Sequence, residues 1–179
     1  MDILNLANKL LSALTILLQV FLFFSIIYFL LFRKYNNRLW LGIKEKGATL
    51  ALIIAMAATL GSLFYSEVAG YLPCELCWYQ RIAMYPLVIL IFMSIWRRER
   101  AALDYSLILA VIGLAFSGYH NYIYFKSSSG VCSLDGVSCL TQYMTEFSYI
   151  TIPVMSLTAF SAVVFLLLIS NREGKDSVF

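Results

Sequence analysis

Charge is what this sequence has least of. Only 13% of its 179 residues are Asp, Glu, Lys or Arg, about half of the ~25% that an average soluble domain carries. That scarcity excludes a soluble enzyme with a conventional polar surface. The chain also lacks internal repeats, low-complexity tracts and long linkers, which points to one compact unit. No stretch shows the residue-by-residue alternation of a membrane barrel, so any crossing of a bilayer is helical. Apolar residues fill the space that charge leaves. They make up 61% of the chain, with a mean hydropathy of +0.82. The net charge of +3 is small, and its placement reflects loop topology rather than nucleic-acid binding. The composition is that of an integral membrane protein.

A helix needs about 20 apolar residues to cross the hydrocarbon core. Four charge-free runs qualify: Leu10 to Phe32, Gly47 to Ser66, Tyr105 to Phe125 and Phe147 to Asn171. A fifth, Cys77 to Trp96, is interrupted only by Arg81 near its start, and the Tyr105 to Phe125 run contains the sole histidine, His120. Five spans are expected. Arg33, Lys34, Arg38, Lys44 and Lys46 follow the first, Arg97, Arg98 and Arg100 follow the third, and Arg172 and Lys175 follow the fifth. Basic residues mark cytoplasmic loops, so the N-terminus is expected outside and the C-terminus inside. The other side holds only Lys9, Arg81 and Lys126. Trp78 and Trp96 fall at opposite ends of the third span, where aromatic belts sit. The first run is longer than a signal-peptide core and its basic residues follow rather than precede it, which favours an uncleaved anchor.

No cysteine lies in a cytoplasmic loop. Cys74 and Cys77 form a Cys-x-x-Cys at the mouth of the third span, and Cys132 and Cys139 sit in the loop between the fourth and fifth. An even number confined to external loops fits disulfide chemistry. Structural staples, a zinc site and a redox-active pair are the three readings. Zinc prefers a closed four-ligand set with short spacings. A staple across two residues constrains the unfolded chain little. The surroundings of the first pair favour exchange. Pro73 suits a helix start, which puts Cys77 in a first turn where free N–H groups and the helix dipole stabilise an anion. Arg81 lies one turn further on the same face. Both favour the thiolate, the species that attacks, whereas Glu75 between the cysteines opposes it. Tyr85 continues that face by another turn. His120 reads either as a polar end-cap or as a hydrogen-bond or proton donor to a bound group. The stretch Ser127 to Gly130 supplies flexibility ahead of Cys132. Thr141 to Phe147 is expected as a short interfacial helix.

The run Pro73-Cys74-Glu75-Leu76-Cys77-Trp78-Tyr79-Gln80-Arg81-Ile82, continuing to Met84-Tyr85-Pro86, resembles the DsbB family of membrane disulfide-generating oxidoreductases. It is most similar to the BdbC-type (disulfide formation protein C) branch. The second cysteine pair, with Tyr149-Ile150-Thr151-Ile152-Pro153 and Met155-Ser156-Leu157, matches the same branch, and the likeness covers roughly residues 47 to 170. The resemblance implies an all-α membrane protein, a four-helix bundle (47–171) holding a quinone near its external end. Residues 1–46, an extra N-terminal helix and basic loop, and the tail 172–179 lie outside that bundle. By position, Cys77 and Arg81 match the residues at the quinone, and Cys74 is the disulfide partner of Cys77. Cys132 matches the cysteine attacked by a DsbA-like thioredoxin-fold oxidase, and Cys139 the one that passes the disulfide to Cys74. The implied cofactor is ubiquinone or menaquinone, the implied partners are that oxidase, the membrane quinone pool and the lipid bilayer, and the implied location is the bacterial inner membrane. The second pair is spaced more tightly than in enterobacterial members.

Rival readings make different demands. Membrane thiol reductases that send electrons outward place cysteines within spans or on both faces, and this chain has none there. A vitamin-K-epoxide-reductase-like protein carries its Cys-x-x-Cys late, with the loop pair earlier, the reverse of the order here. A non-enzymatic scaffold with stapled loops predicts indifference to quinone.

Overall fold

The computed structural model describes residues 2–32, 38–126, 145–147 and 149–176. Five long helices run through it: α1 (Asp2–Phe32), α2 (Arg38–Leu63), α3 (Glu75–Arg97), α4 (Arg100–Lys126) and α5 (Ile152–Asp176). Five stretches are long and apolar enough to cross a membrane: Leu4–Tyr28, Lys46–Val68 (which runs past the end of α2), Glu75–Arg97, Arg100–Lys126 and Ile152–Ser170. The protein is a multi-pass, helical membrane protein. The expected five spans are all present, with the third and fourth extended to the ends of their helices.

The helix ends follow local chemistry. A π-helical turn, Phe64–Val68, closes α2, and Gly70 then takes φ 71°, a left-handed value that glycine adopts without strain. An extended stretch leads into α3, whose N-cap is Cys74 at ψ 171°. Pro73 therefore stands one residue before the cap. Glu75 in the first turn complements the helix dipole. Arg98 ends α3 in the left-handed region (φ 52°), its N–H bonded to Ser94 O. The chain turns straight into α4 while Ser94 Oγ donates to Glu99 O at 3.1 Å. Before α5, Glu146 and Ile150 form an isolated antiparallel bridge around Phe147, also left-handed at φ 50°. Residues 145–147 are not helical, because the bridge takes the backbone groups that a helix turn would use. This corrects the expected interfacial helix in its described part. Residues 141–144 of that stretch lie outside the described residues.

Successive helices alternate in direction. A Cβ at Gly61, near the end of α2, would lie 3.8 Å from Leu11 Cδ2, so the beginning of α1 sits beside the end of α2. The basic positions 38–46, 97–100 and 172–175 accordingly share one end of the bundle, and Cys74, Cys77 and Lys126 share the other. Trp78 and Trp96 are exposed at opposite ends of α3.

The core is built from α2, α3, α4 and α5 around Ala51, Ala55, Leu87, Ile91, Ala110, Phe160, Val163, Leu166 and Leu167. Small residues at the contacts let helices approach closely, as packing without a hydrophobic drive requires. Gly113 is the clearest case. The Phe160 ring occupies the place where a Cβ at that position would stand. Outside the core, large apolar side chains such as Phe23, Ile89 and Ile108 are exposed, which in a bundle of this composition is the lipid-facing surface.

Candidate redox site

The end of α2 and the start of α3 build the site. Cys74 caps α3, and Cys77 stands in its first turn, as expected. Their sulfurs are 2.8 Å apart in the dithiol form. Cys74 is only 6% exposed and packs among Leu76, Ile123, Cys77 and Phe116. Cys77 is half-buried and opens onto a cavity. Two residues three positions apart thus face different surroundings.

His120 reaches the sulfurs from α4. It is 3% exposed, with Nε2 3.9 Å from Cys74 Sγ. Gln80 Nε2 lies 3.2 Å from its other ring nitrogen, Nδ1, and Ser156 Oγ of α5 donates to Gln80 Oε1 at 2.8 Å. With Gln80 donating to Nδ1, the ring proton sits on Nε2 and points at the sulfur. His120 thus stands beside Cys74 and is not among the residues that line the cavity. The Cys74 thiol is pushed from 9.0 up to about 12, first by its hydrogen bond with Cys77, then by burial, while the His120 hydrogen bond pulls it down.

Arg81 lines the cavity together with Cys77. Its guanidinium does not hang free. Nε donates to Ser62 Oγ and Nη2 to Ser62 O, both at 2.9 Å, and the group lies 5.4 Å from the Trp78 ring centroid. These contacts hold a cation at the edge of the bilayer, where an unsupported one is costly. Glu75 turns outward and accepts from Tyr79 Oη at 2.8 Å.

The cavity encloses about 470 Å3, within the usual range for small-molecule sites. Ser62, Gln80, Arg81 and Ser156 stand near one end with Cys77, and the rest of the wall is almost wholly apolar. Tyr65 and Tyr85 line it too, and the hydroxyl of each is buried without a hydrogen-bond partner among the described residues. Such groups are costly unless something meets them, so the wall fits a ligand with polar atoms at one end. Tyr85 was legible as the continuation of the Cys77–Arg81 face. Tyr65, Ser62 and Ser156 were not, since they arrive from other helices. Gln80, three residues after Cys77, was readable only as part of the motif.

Cys132 and Cys139, and the stretch Ser127 to Gly130, lie outside the described residues. As for a metal, Cys74, Cys77 and His120 offer ligand atoms within 4.8 Å of one another, three of the four that a closed zinc site takes.

A bundle of membrane helices that presents a cysteine pair beside a histidine, one sulfur sealed and the other on an apolar cavity, is by class a membrane thiol–disulfide protein. The model of the family described as disulfide bond formation protein DsbB matches residues 44–170, and the chain belongs to that family. Disulfide bond formation protein C of Bacillus subtilis is 39% identical over 128 residues, covering 69% of this chain and 91% of that protein. A probable disulfide formation protein of Oceanobacillus iheyensis is 40% identical over 141 residues, covering 74% and 97%. A probable disulfide formation protein C 2 of Bacillus cereus is 38% identical over 137 residues, covering 75% and 98%. No solved structure matches the chain. The chain is thus a membrane oxidoreductase of disulfide bond formation, similar to the C-type members.

Proposed function

We propose that this protein is a thiol:quinone oxidoreductase that reoxidises a DsbA-like thioredoxin-fold oxidase outside the cytoplasm. One observation carries the reading: Cys77 and Arg81 line the same, largely apolar cavity. Each cycle turns one dithiol of the partner into a disulfide and removes two electrons and two protons. Cys132 and Cys139 receive the partner's electrons by thiol–disulfide exchange, and Cys74 and Cys77 receive them next. A quinone, ubiquinone or menaquinone, held in the cavity supplies a two-electron acceptor and leaves as quinol.

The chain's own groups do the rest. Arg81, braced by Ser62, sets a positive charge at the polar end, and the hydroxyls of Tyr65 and Tyr85, unpartnered among the described residues, offer hydrogen bonds to ring oxygens. His120, oriented by Gln80, supports negative charge on Cys74 whenever that sulfur is released from Cys77. The end rich in Lys and Arg faces the cytoplasm by the positive-inside rule, which puts the cysteines on the side where disulfides persist, in the inner membrane of a bacterium.

The test is a thiol count. The reduced protein has four cysteine thiols; with a soluble quinone and no oxygen, they should fall toward zero as about two equivalents of quinol form. Cys77→Ser should abolish quinol formation. Four thiols that persist in the wild type overturn the reading in favour of a scaffold or a reductase.

A further inference from the structure

The family match begins at residue 44, whereas α1 ends at Phe32. The helix is therefore additional to the shared bundle, yet it is not a bystander. It packs more on α5 than on α2 or α3, and residues of all four helices line the cavity. Leu11, Leu14, Leu18 and Phe21, spaced at helical intervals, turn one face of α1 into its fourth wall. A polar clasp sets that face. Gln19 Nε2 donates to Thr158 Oγ1 of α5, and Tyr149 Oη donates to Gln19 Oε1, both at 3.0 Å.

The chemistry of this wall changes along its length. Leu11 adjoins Gly61, next to Ser62 and Arg81 at the polar end. From there to Phe21 the helix descends about 15 Å at 1.5 Å per residue. Over that distance α1 offers the cavity leucines, a phenylalanine and Thr15, whose hydroxyl is turned back to Leu11 O at 2.8 Å. A slot this long, with Ser62 and Arg81 at one end and an apolar α1 face along the rest, suits a ligand with a polar ring and a hydrocarbon chain.

We infer that α1 is part of the quinone site: it forms the wall against which the isoprenoid tail lies, and it makes the enzyme select quinones that carry one. This rests on the quinone reading above. It commits to the tail of the bound quinone because the slot is continuous with Cys77 and Arg81. A lipid acyl chain filling the same space is the alternative that the test separates.

The experiment compares KM for two acceptors with full-length protein: a tail-less dimethoxy-methyl-benzoquinone and the same ring bearing a decyl tail. The wild type should favour the tailed quinone. Leu18→Trp, which fills the slot from α1, should shrink that KM ratio about tenfold, the affinity carried by roughly two buried methylenes. Phe24→Trp, on the exposed side of α1, should leave the ratio as it is. If bulk at Leu18 impairs folding, Leu14→Ala combined with Leu18→Ala withdraws the wall instead and should shrink the ratio likewise. Equal KM values in the wild type, or the same ratio in the Leu18 and Phe24 variants, overturn the inference and leave the quinone reading standing. Equal KM values are also what a lipid chain in the slot predicts. Reduction of neither quinone overturns both.

Discussion

The two sides of this bundle are equally apolar and differently packed. On one side α5 meets α2 and α4 so closely that 50% of its most apolar window is buried; on the other, α1 has 11% of its window buried. The difference lies in which side chains meet. Where α4 crosses α5, Gly113 yields its place to the Phe160 ring. Where α1 faces α2 and α3, leucines and Phe21 line a space that the described residues leave open. Hydropathy marks a helix for the membrane, and the size and spacing of its residues decide whether it becomes core or wall. The cysteines divide along the same line. Cys74 is sealed on the α4 side with His120 and Ile123, and Cys77 opens to the cavity.

The strongest way to sharpen this contrast is to overpack the tight side. Gly113→Ala drives a methyl into the Phe160 ring and should cost about 3 kcal/mol, read as a lower unfolding temperature in detergent. Gly118 is on the same helix with open space around it, so Gly118→Ala should be neutral or stabilising by up to ~1 kcal/mol. Equal effects at the two glycines would break the contrast.

The next effect is chemical. Iodoacetamide needs a thiolate, and the Cys74 thiol is pushed up to about 12. Its alkylation in the reduced protein should therefore stay negligible through pH 9 and climb only toward 12. The folded protein keeps this proton after the unfolded chain has lost it, so this thiol lowers stability as pH rises from 9.0 to about 12. Cys77→Ala removes the contact that raises the value most, and the alkylation midpoint of Cys74 should move down. An unmoved profile would mean that burial rather than the neighbouring sulfur holds the proton.

The smallest effect belongs to the loose side. Gln19→Leu cuts the clasp between α1 and α5, and a hydrogen bond between membrane helices is worth about 0.6 kcal/mol. The unfolding temperature should barely change. A large loss would show that α1 is held as firmly as α5 and that its low burial misleads.

Five spans, their order and the grouping of basic residues were legible because each depends on local composition. So was the cysteine pair at the mouth of α3, since a proline, a cap position and a first turn follow one another in sequence. The neighbours of the pair were not legible. Ser62 comes from α2, His120 from α4 and Ser156 from α5, and single-helix periodicity carries no information on which faces of separate helices meet. His120 illustrates the limit. Its place near a helix end suggested a polar cap or a group facing a bound ligand, and nothing along α4 alone pointed to Cys74, which its ring adjoins.

By itself, the sequence determined that this protein lives in a membrane, how many times it crosses, which end carries the cysteines and what chemistry two cysteines so spaced can do. These follow from the free energy of moving apolar and charged groups between water and hydrocarbon, which is nearly additive along the chain. Only the tertiary structure decided that one sulfur is sealed and the other opens to a cavity, that Arg81 is braced by a serine from another helix, and that α1 closes the slot as its fourth wall. Those depend on how helices pack across one another, and packing is settled by shape at each contact rather than by composition along a segment.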